Sequence, residues 1–499
     1  MGLVINEFLA NNDSAFVDED GAQSDWIELF NDSALAVDLT DHYLTDDAAD
    51  LTKWRFPAVS LGAGQFLIVF ASDKDRRVAG QELHTNFKLT TGGEYLAIVD
   101  GDGFTVIHGY APNFPAQVKD VSYGISAEPA HELRYFSTPT PGTANVGGYE
   151  GNVADTTFSI DRGYYSEPFE VTILSSTVGS TIRYTIDHST PSEVYGTIYS
   201  GPILINKTTV LRAMAYKTGY ESTDVDTQSY IFMSDVLTQP AAPAGFPSTW
   251  GGVAADYEVD PDIVYSVAYS NLVAAAILSK PTLSITTHKD NLFSSGSGVY
   301  ANPGGTGQAW ERPVSMEWID TQGGKDFQVN AGIRVFGGYF RNLGVTRKKS
   351  LRLTFRSEYG PGTLKEDIFP DPDDAEDYNT LVLRAGANDG YNNWGNVYVQ
   401  YIIDGFVRQT QLDMGRPSAH GTFVHLYLDG LYWGLYNPSE RPDAAFAANY
   451  FGGNKDDWDS RSQDELGDGT WDLWNDMINH CRAGLTTEAA LQQLQGNNP

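Results

Sequence analysis

GIRVFGGYFRNLGVTRKKSLRLTFRSEYG, Gly332 to Gly360, and FVHLYLDGLYWGLYNPSERPD, Phe423 to Asp443, decide the reading of the C-terminal half of the chain. The first couples a glycine-rich turn to a strand. Alternation along KSLRLTF sets Lys349, Leu351 and Leu353 on one face and Ser350, Arg352 and Thr354 on the other. A lysine sharing a face with two leucines must reach out of the core or meet a buried anion. Lys348 points the other way, to solvent. Gly332, Gly337 and Gly338, with Arg334 between them, form either a phosphate-cradling turn or a tight turn between strands. The second stretch is a hairpin around Asp429-Gly430 that ends in Glu440-Arg441. Glu440 is a candidate partner for Lys349, or a capping residue at the helix that PDAAFAANYF predicts. Asp404 is a competing partner, although an i,i+4 pair with Arg408 also accounts for it. Arg384 and Asp389, in LVLRAGANDG, are candidates for a nucleotide contact or a structural ion pair.

The length, 499 residues, predicts about three domains. Lys+Arg 32 against Asp+Glu 65 leaves a net charge of −33. Such a field repels nucleic acid phosphates and anionic lipid, so neither is expected as a partner. It suits divalent cations, basic protein surfaces or a salty extracellular medium. Cys481 is the single cysteine, so an intrachain disulfide is impossible. No run approaches the ~20 apolar residues of a membrane-spanning helix. Met1-Gly2 leads straight into a strand with no signal peptide, and we expect a processed or engineered start.

From Gly2 to about Val146, short β-branched and aromatic runs such as WIELFN, QFLIVFA and EYLAIVD are broken by Gly, Asp and Pro turns. Helical periodicity is nearly absent, which predicts a β-sandwich. The acidic loop holding Asp13, Asp18, Glu19 and Asp20 is a calcium loop or a solvated turn. Thr138–Gly148 (TPTPGTANVGG) reads as a linker, and a second set of strands, FEVTIL to QSYIF, follows. Its Tyr164, Tyr165, Tyr184 and Tyr216 read as core or cross-strand pairs, or as a sugar platform. Gln239–Gly252 is another Pro/Gly connector, and Asp260–Leu278 has helical composition with an aspartate to cap it. Further helices are expected over Gly395–Leu412, Asp443–Tyr450, Thr470–Ala483 and Thr487–Leu494. The run DIFPDPDDAEDY, Asp367 to Tyr378, is solvated or attracts cations.

Three resemblances follow from these motifs. LVINEFLANND, SDWIELFN, KWRFP and NFKLTTGGEYLAIVD resemble a lamin-tail domain, an immunoglobulin-like fold. FSIDRGYYSEPFEVTI, GSTIRYTIDHSTP and TVLRAMAYKTGYES resemble the chitobiase/hexosaminidase C-terminal domain, a fibronectin-like sandwich. The two stretches quoted first, with GVYANPGGTGQAWERPVSMEW and LVLRAGANDG, resemble the CotH family of atypical protein kinases. Together they imply a multidomain chain: two immunoglobulin-like β-sandwiches, 1–146 and 154–233, a linker and helix, 234–280, and a partial α/β kinase-like domain, 281–499. The CotH resemblance implies ATP and magnesium, transfer of phosphate to a protein Ser/Thr, and nucleotide binding by Gly332, Arg334, Gly337, Gly338, Lys349 and Arg384. Lys349 and Glu440 would be its catalytic pair. The family's metal-binding aspartates lie C-terminal to this segment, so we expect the domain to be truncated; Asp468, Asp472 and Asp476 read as the wet face of a helix. The resemblances place the protein outside the cell or on its surface, with a protein or carbohydrate partner. A non-catalytic scaffold or adhesion protein is the alternative.

Overall fold

The N-terminal strands are short because turn residues interrupt them every few positions, and they close on one another through two antiparallel-rich sheets. One has six strands in the order Leu133–Phe136, Ser122–Ile125, Leu3–Leu9, Asp25–Asn31, Phe66–Ala71, Leu83–His84. The other has four: Val106–Tyr110, Leu96–Val99, Tyr43–Thr45, Trp54–Arg55. Inward residues of both, among them Phe8, Ile27, Trp54 and Ile98, make one core, as the sandwich reading requires. The computed structural model describes residues 2–13, 15–127, 130–369, 375, 377–387, 389–390, 400–462, 465–487 and 491–492. Residues 370–374 and 376 of the acidic run, the start of the helix expected from Gly395, and most of that expected over Thr487–Leu494 lie outside them.

Two carboxylates, Glu7 and Glu28, are buried in the six-stranded sheet, and the Thr138–Gly148 stretch satisfies them. Thr140 donates its N–H (3.1 Å) and hydroxyl (3.2 Å) to Glu7, and the Gly142 N–H donates to Glu28. Asn145 donates to the carbonyls of Asn6 (3.2 Å) and Ile125 (2.9 Å). A segment that composition marks as a linker therefore straps the sheet. Burial pushes the Glu28 carboxyl up to about 7, against the bonds from Gly142 and Asn6 that lower it. The unfolded chain ionises near the ordinary carboxyl value and the folded chain only near 7, so the folded state binds the extra proton between them. Stability of this unit should fall as pH rises from about 4.5 to 7. Denaturant titrations of wild type and Glu28→Gln across that range check it: the substitution should flatten the slope.

The chain clusters into two compact units. One comprises residues up to Asp155 with Ser175–Thr181 and Ala215–Thr223; the other holds Thr156–Leu174, Ile182–Met214 and Asp224 onward. The second set of strands builds a five-stranded sheet, Gly163–Tyr165, Asp226–Phe232, Thr209–Tyr216, Thr181–Thr185, Thr197–Ile198, over a small core that includes Val171, Leu211 and Tyr230. Beyond it, seven strands close into a barrel: β1 (Thr282–Thr286), β2 (Arg312–Ile319), β3 (Phe327–Val335), β4 (Leu351–Thr354), β5 (Thr380–Arg384), β6 (Val424–Leu428) and β7 (Leu431–Glu440). The order is β1-β2-β3-β4-β5-β7-β6, and β6 returns to β1 in parallel register, His425 beside Thr282. Leu283, Ile285, Met316, Ile333, Leu353, Leu383 and Leu426 fill it.

Within this second unit, Glu317 of β2 is fully buried and reaches the neighbouring sheet. It accepts from the Ser229 N–H (2.9 Å) and hydroxyl (2.5 Å) and lies 3.6 Å from Arg162. Ile231, Val236, Ile277, Ile319 and Tyr427 pack around that contact. Tyr164, read above as core or sugar platform, donates its hydroxyl to Tyr427 at 3.1 Å and lies 2.7 Å from the Thr282 hydroxyl. Tyr165 packs on Phe169 and Tyr230. Glu317→Ala strands Arg162 and Ser229 in a dry contact and should cost about 3–5 kcal/mol in a denaturant melt, whereas Glu317→Gln should cost less.

Among the described residues the helices are shorter than composition predicts. The Asp260–Leu278 stretch makes two pieces, Pro261–Val264, capped by Asp260, and Val273–Leu278. Between them SVAYSN supplies poor helix formers, and Val267 is fully exposed, so nothing apolar holds that turn. Helix α1 (Ile403–Asp413) begins well after Gly395, with residues 400–402 outside it, whereas α2 (Ala444–Phe451) and α3 (Asp472–Ala483) match their expected spans closely. No helix among the described residues is long and apolar enough to cross a membrane.

Candidate functional site

Alternation along the barrel strands sends Ile333, Val335, Leu351 and Leu353 inward and leaves Arg334, Arg352 and Thr354 on the outer face. Arg334 and Arg352 are direct cross-strand partners. Like charges placed opposite each other are unfavourable unless an anion sits between or beside them. The acid present is Glu311, itself buried: it lies 3.7 Å from Arg334, 3.0 Å from Arg356, and accepts from Thr354 at 3.3 Å. Arg352 donates to the Thr380 hydroxyl at 3.1 Å. Nε of both Arg334 and Arg352 is buried without a hydrogen-bond partner, that of Arg334 lying 3.7 Å from Glu311. Burial, then Arg441 and Arg334, pull the Arg352 guanidinium down to about 10, and burial also lowers Arg334.

A cleft of about 700 Å³ opens over this face. Its barrel wall carries Arg352, Thr354, Arg356 and Thr380, and its other wall Asp443, Lys455 and Asp468. Asp443 caps α2 by accepting from the Phe446 N–H at 3.2 Å and lies 3.5 Å from Arg441. Burial raises its carboxyl, and the Asp468 charge adds to that rise. Asp468 accepts from Ser460 at 2.6 Å. It lies on the strand Glu465–Asp468, not on the wet face of a helix: Gly467 and Gly469 flank it, and the helix begins only at Asp472.

The residues singled out from sequence are distributed over four places. Lys349 is fully buried at one end of the barrel, and its ammonium donates to the carbonyls of Asn342 (2.9 Å), Phe340 (3.4 Å) and Thr346. It does not meet Glu440 or Asp404. Glu440 instead lies 2.8 Å from His420 Nδ1 and accepts from the Tyr450 hydroxyl at 2.8 Å. Glu440 also borders a small recess that shares Asn379, Thr380 and Asp443 with the cleft. Asp404 lies 2.7 Å from Arg384 and 3.3 Å from Arg408. Lys348 is not a solvent residue: its ammonium stands 4.3 Å from the Trp433 ring centre, and burial lowers it to about 8. Gly332 is in the middle of β3, not in a turn, where a side chain would collide with the Tyr359 ring. Gly337 is the turn glycine, with φ 107°, and Gly338 opens the turn Tyr339–Arg341 whose following carbonyls hold Lys349. Arg334 alone of the proposed nucleotide-binding set stands beside Arg352.

The sequence reading gave no site role to Glu311, Arg352 or Asp443 and took Asp468 for a helix. A signal existed for the arginines: in strands of alternating pattern, Arg334 and Arg352 both take the face opposite the leucines. In the N-terminal loop, every acid meets a cation. Asp18 lies 2.5 Å from Lys74, Asp20 2.6 Å from Lys74 and 2.7 Å from Arg76, Glu19 2.7 Å from Arg76, and Asp13 pairs with Lys119.

Residues 333–483 match the CotH kinase protein family. That span carries Arg334, Lys349, Arg352, Glu440, Asp443 and Asp468. The Lamin Tail Domain family matches residues 2–111 and the Fn3 associated family residues 171–230, so the three matches follow the order of the three motif groups. Over the second module the match is to Fn3 associated and not to the chitobiase/hexosaminidase C-terminal domain. No curated protein matches the chain. Within the CotH match, Lys349 ties down the turn that Gly337 begins. Lys349→Met would leave three carbonyls without their donor and should destabilise the barrel by about 1–3 kcal/mol. A denaturant melt in which Lys349→Met unfolds like wild type would overturn this structural role.

Proposed function

We propose that the cleft over the outer barrel face binds the polyphosphate of ATP and that the protein is a kinase acting on a protein serine or threonine. The observation that carries this reading is the cross-strand Arg334–Arg352 pair, of which Arg352 lines the cleft and keeps a buried Nε without a hydrogen-bond partner, in a chain of net charge −33. The cleft sets Arg352, Arg356 and Lys455 beside Glu358, Asp443, Asp456 and Asp468, so an anion would enter together with a cation, and the arginine fork suits phosphate. The CotH match points to the same chemistry.

Asp443 and Asp468 face Arg352 across the cleft, and the Asp468 charge adds to the rise of the Asp443 carboxyl, so the donor set fits magnesium, which is held by one or two carboxylates together with phosphate oxygens. When bound, magnesium would offset charge on the β- and γ-phosphates. The chain's own groups then do the rest: Arg352 and Arg356 orient the phosphates, Thr354 and Thr380 offer hydroxyls, and Glu311 holds Arg334 and Arg356 in place. The acceptor hydroxyl attacks the γ-phosphorus, the bond from that phosphorus to the β-bridging oxygen breaks, ADP leaves, and a cleft carboxylate takes the hydroxyl proton. Placement at the cell exterior or surface rests on the resemblance of the first two modules to domains of secreted proteins.

Isothermal titration of the full chain with ATP and magnesium tests the site. Arg352→Met should weaken binding about tenfold or more, the scale of one charge-assisted contact, with the melting temperature little changed. Failure of the wild-type chain to bind ATP at millimolar concentration, or equal affinity in Arg352→Met, would remove the kinase reading and favour a scaffold.

A further inference from the structure

The N-terminal unit holds a second constellation that the cleft does not use. His84 ends the strand Leu83–His84, which runs parallel to Phe66–Ala71, and its ring is fully buried against Phe70, 5.2 Å between centres. Its Nδ1 lies 2.8 Å from the Ser72 hydroxyl, and its backbone N–H donates to the Arg76 carbonyl at 3.0 Å. The ring is thus fixed from three sides. Its other nitrogen, Nε2, is buried with no hydrogen-bond partner. Ligand atoms of Glu19, Glu82 and His84 all lie within 4.8 Å of one another, and Glu19 stands nearest, 3.8 Å from Nε2. The Glu19 N–H donates to Glu82 at 2.7 Å, which fixes the two acids to each other.

We propose that Glu19, Glu82 and His84 bind one first-row divalent metal ion, zinc by preference. A buried imidazole nitrogen left without a partner is costly, and a metal would satisfy it. Histidine ligands are oriented by a hydrogen bond on the far ring nitrogen, the part Ser72 plays here. One nitrogen and two carboxylates make three ligands, which leaves a fourth position for water in a tetrahedral zinc site. The imidazole sets the site apart from calcium, which takes six or more oxygens. Local charge agrees: Asp18, Glu19, Asp20 and Glu82 bring four negative charges against two positive ones on Lys74 and Arg76, so two remain uncompensated. Arg76 can release Glu19 and keep Asp20 at 2.7 Å. Closing from 4.8 Å to the spacing that ~2.0–2.2 Å bonds require falls to two exposed glutamates, the side chains with most freedom to move.

The test is calorimetric titration of the metal-stripped full chain with zinc chloride, paired with thermal melts. Wild type should take up one equivalent at this site and melt at a higher temperature with zinc. Glu82→Gln, an exposed change that the fold tolerates, should weaken that binding about 10-fold or more, as should His84→Gln if it folds. Cys481→Ser, which removes the exposed thiol elsewhere in the chain, should leave it unchanged. Undiminished zinc affinity in Glu82→Gln would overturn the site, and so would an equal rise in melting temperature with calcium or with sodium chloride of matched ionic strength.

Discussion

The parallel pairing of β6 with β1 closes the barrel, and the placement of every charged group around it depends on that closure. Once His425 registers with Thr282, the pleat decides which residues of each strand face inward. Arg334 and Arg352 lie outside because Ile333, Val335, Leu351 and Leu353 lie inside. A slip of one residue would drive both arginines into an apolar core and expose the leucines, at a cost no ion pair repays. The cleft is therefore a by-product of hydrophobic packing, with chemistry written on the face that packing leaves over.

Buried charge appears in this chain in two conditions. Glu317 and Lys349 are fully enclosed and fully bonded, one by serine donors and Arg162, the other by carbonyls. Groups held in that way specify a geometry and have nothing left to offer a ligand. Arg334, Arg352 and His84 keep a buried nitrogen without a hydrogen-bond partner, as Arg212 and Arg408 also do.

Much of the architecture was legible because β-branched and aromatic runs bounded by Gly, Asp and Pro leave few choices beside strands. Alternation also placed Lys349 correctly with Leu351 and Leu353 on the inner face. Its partners were not legible, since the Phe340–Thr346 turn folds back over the barrel end and offers carbonyls, which every residue type carries alike. The pairing with Glu440 failed for the same reason: His420, twenty residues earlier in the chain, reaches that carboxylate first. Asp468 was assigned to a helix because acids recur after it at helical spacing, while the glycines on either side marked a hairpin. Thr138–Gly148 carries linker composition, and composition reports local stiffness; it holds no record of the two acids, Glu7 and Glu28, that the segment covers.

The Glu317 contact also orders events during synthesis. The strand Asp226–Phe232 leaves the ribosome long before β2 does, and until then the Ser229 N–H and hydroxyl have water in place of their carboxylate. The N-terminal sandwich core, drawn from residues no later than Tyr123, needs nothing from that later chain. A nascent chain thus passes through a stage with one finished sandwich and one sheet whose outward Ile231 still waits for Ile319 and Tyr427 of the barrel, the interval in which a holding chaperone has most to cover.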